Sequence, residues 1–224
     1  ETGAVENRTV QGVSVQPDTG RIAFSAFGKL YLAGKGDDVL PMPTQTETAF
    51  QPSWSHQGGQ LVFVTWSSTQ SGSIRVFDPA NGKPAKKISQ YDDTYYSPVF
   101  SADDKIVYAL RANQQDRLNT QAEVFQPVEN ALIKIDLSTG RQETLIPRIN
   151  ARHLALNEAG DRLFADTAGG FKSVSLAQPG DVTTSLIVDM SGNQYIEAKL
   201  PAEAVRRSPD GKSVLVRSGA KLYF

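Results

Sequence analysis

A short pattern recurs five times along this chain and limits what it can fold into. Each copy is an apolar strand, a polar turn closing on Gly or Asp, and a second apolar strand. The copies run from Val13 to Phe24, Pro52 to Phe63, Pro98 to Tyr108, Leu154 to Phe164 and Val205 to Leu215. Their turn positions Gly20, Gly59, Asp104, Gly160 and Gly211 lie 39, 45, 56 and 51 residues apart. A repeat of roughly 40–50 residues made of short strands is the period of a β-propeller blade. The repeat is scaffold, so function is expected on loops and partners.

Turn chemistry explains the recurrence. In Ser208-Pro209-Asp210-Gly211 the Pro presets φ, the Asp bonds back to the backbone, and the Gly accepts positive φ. The flanking runs must then pair as a hairpin. Copy one has Thr19 inserted, and copy three ends in Asp104, a residue that tolerates left-handed geometry.

A third strand follows each hairpin, at Gly28–Leu32, Ser73–Phe77, Ala131–Ile135, Phe171–Ser175 and Lys221–Phe224. Two of them run into Asp-to-Gly turns, Asp78–Gly82 and Asp136–Gly140, with outer strands at Lys86–Ser89 and Glu143–Ile146. The EF-hand spacing of carboxylates is missing, so these turns read as Asx turns and not as calcium loops. The expected fold is all-β: a β-propeller of four-stranded antiparallel blades, about five present and the ring incomplete. The expected inward residues alternate, as in Ile22 and Phe24 or Leu61 and Phe63, and Trp54 is expected in the core.

Composition narrows the function classes. Net charge is −1, from 23 basic and 24 acidic residues, so no bulk field draws in nucleic acid. No apolar run is long enough to span a bilayer, so no membrane insertion is expected. There is no cysteine, which excludes disulfides and thiolate metal sites. With 224 residues, 39% of them hydrophobic, the chain is read as one propeller spanning 1–224, because blades bury their faces on each other. The last copy stops inside a third strand, so the chain is expected to belong to a longer polypeptide.

Pro52–Ser55 followed by Gly59 and an apolar strand, together with Ser208–Gly211, resembles the TolB-type propeller repeat. From Gly12 to about Arg111 the runs Arg21–Tyr31, Phe50–Ser55, Phe63–Trp66 and Tyr95–Pro98 are most like the propeller portion of secreted bacterial amidohydrolases. The resemblance implies a non-catalytic propeller that braces and gates a metal-dependent amidohydrolase domain acting on amide-type C–N bonds. That catalytic domain, in cis, or another protein is the implied partner, in a periplasmic or secreted bacterial setting. A stand-alone protein-binding propeller like TolB itself is the alternative, and a gating propeller of a prolyl-oligopeptidase-like hydrolase is a third reading.

No catalytic residue of such a domain carries over. Amidohydrolases use a His-x-His pair, whereas only His56 and His153 occur here, on different repeats. Neither is expected to bind metal, so no cofactor is assigned to this chain. A divalent ion such as zinc would belong to the parent domain. No G-x-S-x-G, phosphate loop or G-x-G-x-x-G is present. The adjacent pairs Asp37-Asp38, Asp92-Asp93 and Asp103-Asp104 read as solvated turn residues.

The best candidates are loops on one face, where strand-two-to-three connections and blade links emerge together. They are Trp66–Ser71, Thr46–Gln51, Tyr91–Ser97, Pro147–His153 and the long segment Arg111–Glu129. Trp66, Tyr95, Tyr96, Arg111 and Arg117 are the candidate interface anchors, with Leu118 and Phe125 as apolar contacts from the long segment.

Overall fold

The computed structural model describes residues 10–34, 36, 39–42, 47–113, 129–167, 170–185, 204–207, 213–218 and 221–223. These form antiparallel sheets in chain order, and no helix occurs among them. The first sheet contains β1 (Gln11–Val15), β2 (Ile22–Ala26), β3 (Lys29–Ala33) and β4 (Leu40–Pro41). The second contains β5 (Thr48–Trp54), β6 (Leu61–Ser67), β7 (Ser71–Phe77) and β8 (Lys86–Lys87). The third contains β9 (Thr94–Phe100), β10 (Ile106–Ala112), β11 (Ala131–Asp136) and β12 (Gln142–Ile146). The fourth contains β13 (Ala151–Leu156), β14 (Arg162–Thr167), β15 (Gly170–Ser175) and β16 (Val182–Ser185). A three-stranded sheet, β17 (Ala204–Arg207), β18 (Val214–Ser218) and β19 (Lys221–Tyr223), follows. Strands run in sequence order across every sheet, and β1 meets β5, β5 meets β9 and β9 meets β13. This is the β-propeller that the repeat predicts.

Fourth strands are more regular than the sequence predicts. They occur in four sheets, including β4 and β16, which have no Asp-to-Gly turn in front of them. The hairpin turns follow one rule. Gly58, Asp104 and Gly160 have φ of +72°, +57° and +74° and donate their N–H to the carbonyl three residues back. In the second copy the left-handed position is therefore Gly58 and not Gly59. With Thr19 inserted, Gly20 reaches one residue further, to Gln16 O.

Three apolar seams join the sheets. Ala23 and Leu30 meet Trp54, Leu61 and Phe63 between the first and second. Val62, Val64 and Ile74 meet Phe100, Val107 and Ala109 between the second and third. Tyr108, Leu110 and Leu132 meet Leu154, Leu163 and Val174 between the third and fourth. Each fully buried Leu, Val or Phe contributes about 1.5–3 kcal/mol.

The inward assignment holds for Leu61 and Phe63, both 0% exposed, and for Trp54. It does not hold for Ile22. Val15, Ile22 and Phe24 occupy the positions of Trp54, Leu61 and Phe63, with Val15↔Ile22 paired as Trp54↔Leu61 are. Yet Ile22 is 38% exposed, and Val13 and Val15 are exposed too. Phe24 is half-buried through stacking on Tyr31 at 5.5 Å. In the first sheet the residues packed inward are Ala23, Ser25 and Leu30, the opposite set.

Among the described residues no ladder joins the first strands of neighbouring sheets, and side chains bridge them. Trp54 N donates to Ser14 Oγ (3.0 Å), Ser97 N to Gln51 Oε1 (2.8 Å) and Leu154 N to Ser97 Oγ (2.8 Å). Left-handed residues in these strands, Gly12, Gln51 and Ser97, mark local bulges that turn the bridging groups toward the neighbour.

Candidate protein-interaction face

Three hydrogen bonds define one face. Each links the start of a third strand, or the residue just before it, to the connection leading into the next sheet or the start of that sheet's first strand. Ala49 N donates to Gly28 O (2.9 Å), Asp93 N to Gly72 O (3.1 Å) and Ile149 N to Asn130 O (2.8 Å). The strand-two-to-three ends and the sheet links therefore emerge together, as the sequence predicts. At Gly72 the approach is so close that a Cβ would lie 2.3 Å from Asp93 O. Asn130 instead carries a buried amide that donates to Ala151 O (2.7 Å) and accepts from Ala151 N (3.0 Å), imitating a strand partner.

Asp93 joins the second and third sheets. Its backbone pairs with Gly72, and its carboxylate accepts from Arg111 Nε at 2.7 Å. The Arg111 guanidinium lies over the Tyr91 ring, 4.5 Å from the centroid. Tyr91 is exposed and Arg111 partly so, an aromatic–cation pair already desolvated on one side. Arg111 is not loop, as expected, but strand. β10 continues through Ala112, with Arg111 paired to Tyr95 and Ala131.

Beside this pair a cavity of about 220 Å³ opens between the second and third sheets. Its walls are Phe50, Thr65, Trp66 and Gly72 on one side, and Thr94, Tyr95 and Tyr96 on the other. Trp66 and Tyr96, both half-buried, are brought together here. Tyr95 is not a surface anchor. It is 2% exposed, its hydroxyl donates to Tyr91 O at 2.9 Å, and burial pushes that hydroxyl's pKa up to about 12. Thr94 is 4% exposed, and its Oγ1 has no hydrogen-bond partner. Arg117, Leu118 and Phe125 lie outside the described residues.

A second cavity, about 430 Å³ and polar, lies on the other side of β7. Arg75 Nη2 meets Glu47 at 3.0 Å there, and Lys87 pairs with Asp92.

The two histidines are far apart in the fold. His56 Nδ1 lies 3.4 Å from Asp104 in the hairpin turns, and His153 Nδ1 3.8 Å from Asp166 in the fourth sheet. Among the described residues no three His, Asp or Glu side chains converge to hold a metal. Sequence reasoning missed Gly72, Asp93 and Thr94, although Asp93 and Thr94 lie within, and Gly72 directly beside, segments assigned to this face. Nothing in their local sequence signals that a link and a third strand meet.

No family model matches the chain, and no curated protein matches it. Solved structures do. A protein assigned to TolB from Agrobacterium tumefaciens is 12% identical, with TM-score 0.69, over 93% of this chain and 69% of its own. A chain of the nidogen/laminin complex is 13% identical, with TM-score 0.63, over 93% and 72%. TolB from Acinetobacter baumannii is 15% identical, with TM-score 0.60, over 95% and 48%. At such identities the likeness shows the fold alone, and that fold is a TolB-like β-propeller.

Proposed function

We propose that this chain is a protein-binding propeller whose docking surface is the face carrying Tyr91, Arg111, Trp66 and Tyr96. The observation that carries the reading is the Arg111–Tyr91 stack beside an aromatic cavity, since Tyr, Trp and Arg are the residues enriched at binding hot spots. A similar propeller chain comes from the nidogen/laminin complex, an assembly of two proteins, which favours the same use of the fold.

The narrower reading makes the partner a metal-dependent amidohydrolase domain on the same polypeptide, outside the cytoplasm. It has behind it the residue resemblance from Gly12 to Arg111 and nothing further. Membership of a longer polypeptide has its own support. Val15, Ile22 and Phe24 present an uncovered face at positions that a neighbouring sheet buries in the second sheet (Trp54, Leu61 and Phe63) and in the third (Phe100, Val107 and Ala109).

A photo-crosslinking amino acid at Tyr91, compared with one at His56 in the hairpin turns, tests the docking surface. Capture of a defined partner from Tyr91 and not from His56 is the expected result. Equal capture at both positions, or capture only through His56, would overturn it.

A further inference from the structure

We infer that the cavity between the second and third sheets is an anchor pocket for one uncharged apolar side chain of a protein partner. The backbone of that partner residue is bonded by Thr94 Oγ1. This rests on the reading of the face as protein-binding.

Size decides against a cofactor or metabolite. At about 220 Å³ the cavity is below the roughly 300–1,000 Å³ of ordinary small-molecule sites. A single side chain fits that space. The walls from Phe50, Trp66 and Tyr96 are aromatic, and no lining residue is charged.

The rim selects the same class of ligand by charge. Arg111, beside the cavity, is held by Asp93. A charged anchor would have to break that pair or enter unpaired, and both are costly. A neutral side chain complements an uncharged lining beside a charge that is already matched. Thr94 supplies the remaining observation. A buried hydroxyl without a partner is unfavourable until something bonds it. A partner backbone N–H or C=O arriving with its side chain does so, after a rotation about the Thr94 Cα–Cβ bond.

The test uses the whole chain, ¹⁵N-labelled, titrated with N-acetyl-L-phenylalaninamide, N-acetyl-L-leucinamide and, as a charged control, N-acetyl-L-lysinamide. The neutral probes should shift the Trp66 indole, Gly72 and Thr94 resonances with millimolar affinity, and the lysine probe should not. Thr94→Leu, which fills the cavity, should abolish the shifts. Thr94→Val, which keeps the shape and is the safeguard should the larger residue disturb folding, should weaken binding about fivefold, the worth of one hydrogen bond. Absent or dispersed shifts, equal response to the lysine probe, or undiminished binding by Thr94→Val would overturn the pocket. Crosslinking through Tyr91 that persists with a silent cavity would retire the pocket and leave the docking face intact.

Discussion

The carboxylate of Asp104, in the third sheet's hairpin turn, accepts the backbone N–H of His56 in the second at 2.7 Å, and of Gln57 at 2.9 Å. Its side chain is 13% exposed, so these are charge-assisted bonds largely sheltered from water. The neighbouring turns touch in the same ring. Gln16 Nε2 donates to Gly58 O, and a Cβ on Gly160 would lie 2.6 Å from that of Ala102.

Asp104 has φ of +57°, and the equivalent positions in the second and fourth sheets are Gly58 and Gly160. Backbone preference alone would make Asp104→Gly stabilising. The clamp reverses that expectation. Both Asp104→Gly and Asp104→Ala should cost about 1.5–3 kcal/mol, with Asp104→Asn losing less, measured by urea unfolding. An unchanged or raised midpoint for the glycine variant would show that the clamp contributes nothing.

Leu61 and Ile22 occupy equivalent positions, yet only Leu61 is covered. Leu61→Ala should cost about 2–5 kcal/mol in the isolated chain, because it removes buried methyl groups and leaves a cavity. Ile22→Ala should cost less than about 1 kcal/mol, as a half-exposed residue does. Chemical denaturation of the two variants decides between them. Equal losses would mean that something covers Ile22 in solution.

The same pair shows what the sequence could and could not convey. Hairpins were legible because Gly20, Asp104 and Gly160 are local requirements, read from residues three or four positions apart. The third strands were legible from alternation. Which side of the first sheet faces inward was not, since Ile22 and Leu61 carry the same apolar signal and differ only in their neighbours. The candidate face was half legible. Trp66, Tyr96 and Arg111 stood out as residue types, but Asp93 and Thr94 act through contacts with Gly72, Arg111 and the cavity, and such contacts exist only once distant segments meet.

Gly72 is the tightest of those meetings. Its third-strand position pairs with Asp93, and any Cβ would lie 2.3 Å from the Asp93 carbonyl oxygen. That atom is backbone, so it cannot rotate away. Gly72→Ala should destabilise by about 1–3 kcal/mol, the cost of overpacking, and displace the Asp93–Arg111 pair. Ala at Gly82, which meets nothing within 4 Å, has only its φ of +61° to oppose it and is the matched control. If the two variants melt together, the close approach is not a constraint on the fold.

Asp136 provides a pH test of the Asx turn read from the sequence. Its Oδ1 accepts from the Ser138 hydroxyl (2.6 Å), the Ser138 N–H (2.8 Å) and the Thr139 N–H (3.0 Å). The Ser138 hydroxyl is the chief cause, and these bonds hold the carboxyl's pKa down at about 2. An unfolded Asp titrates near pH 3.9. Because the folded value is the lower one, the turn's contribution is fully present above about pH 4 and is lost as pH falls toward 2. Replacing Ser138 with Ala removes the strongest donor, so the carboxyl should titrate at higher pH and less stability should remain to be lost on acidification. Carboxyl-detected NMR titration of the wild type and Ser138→Ala reads this directly. A wild-type midpoint near 4, or one unmoved by the substitution, would mean that the carboxylate is not held in the turn.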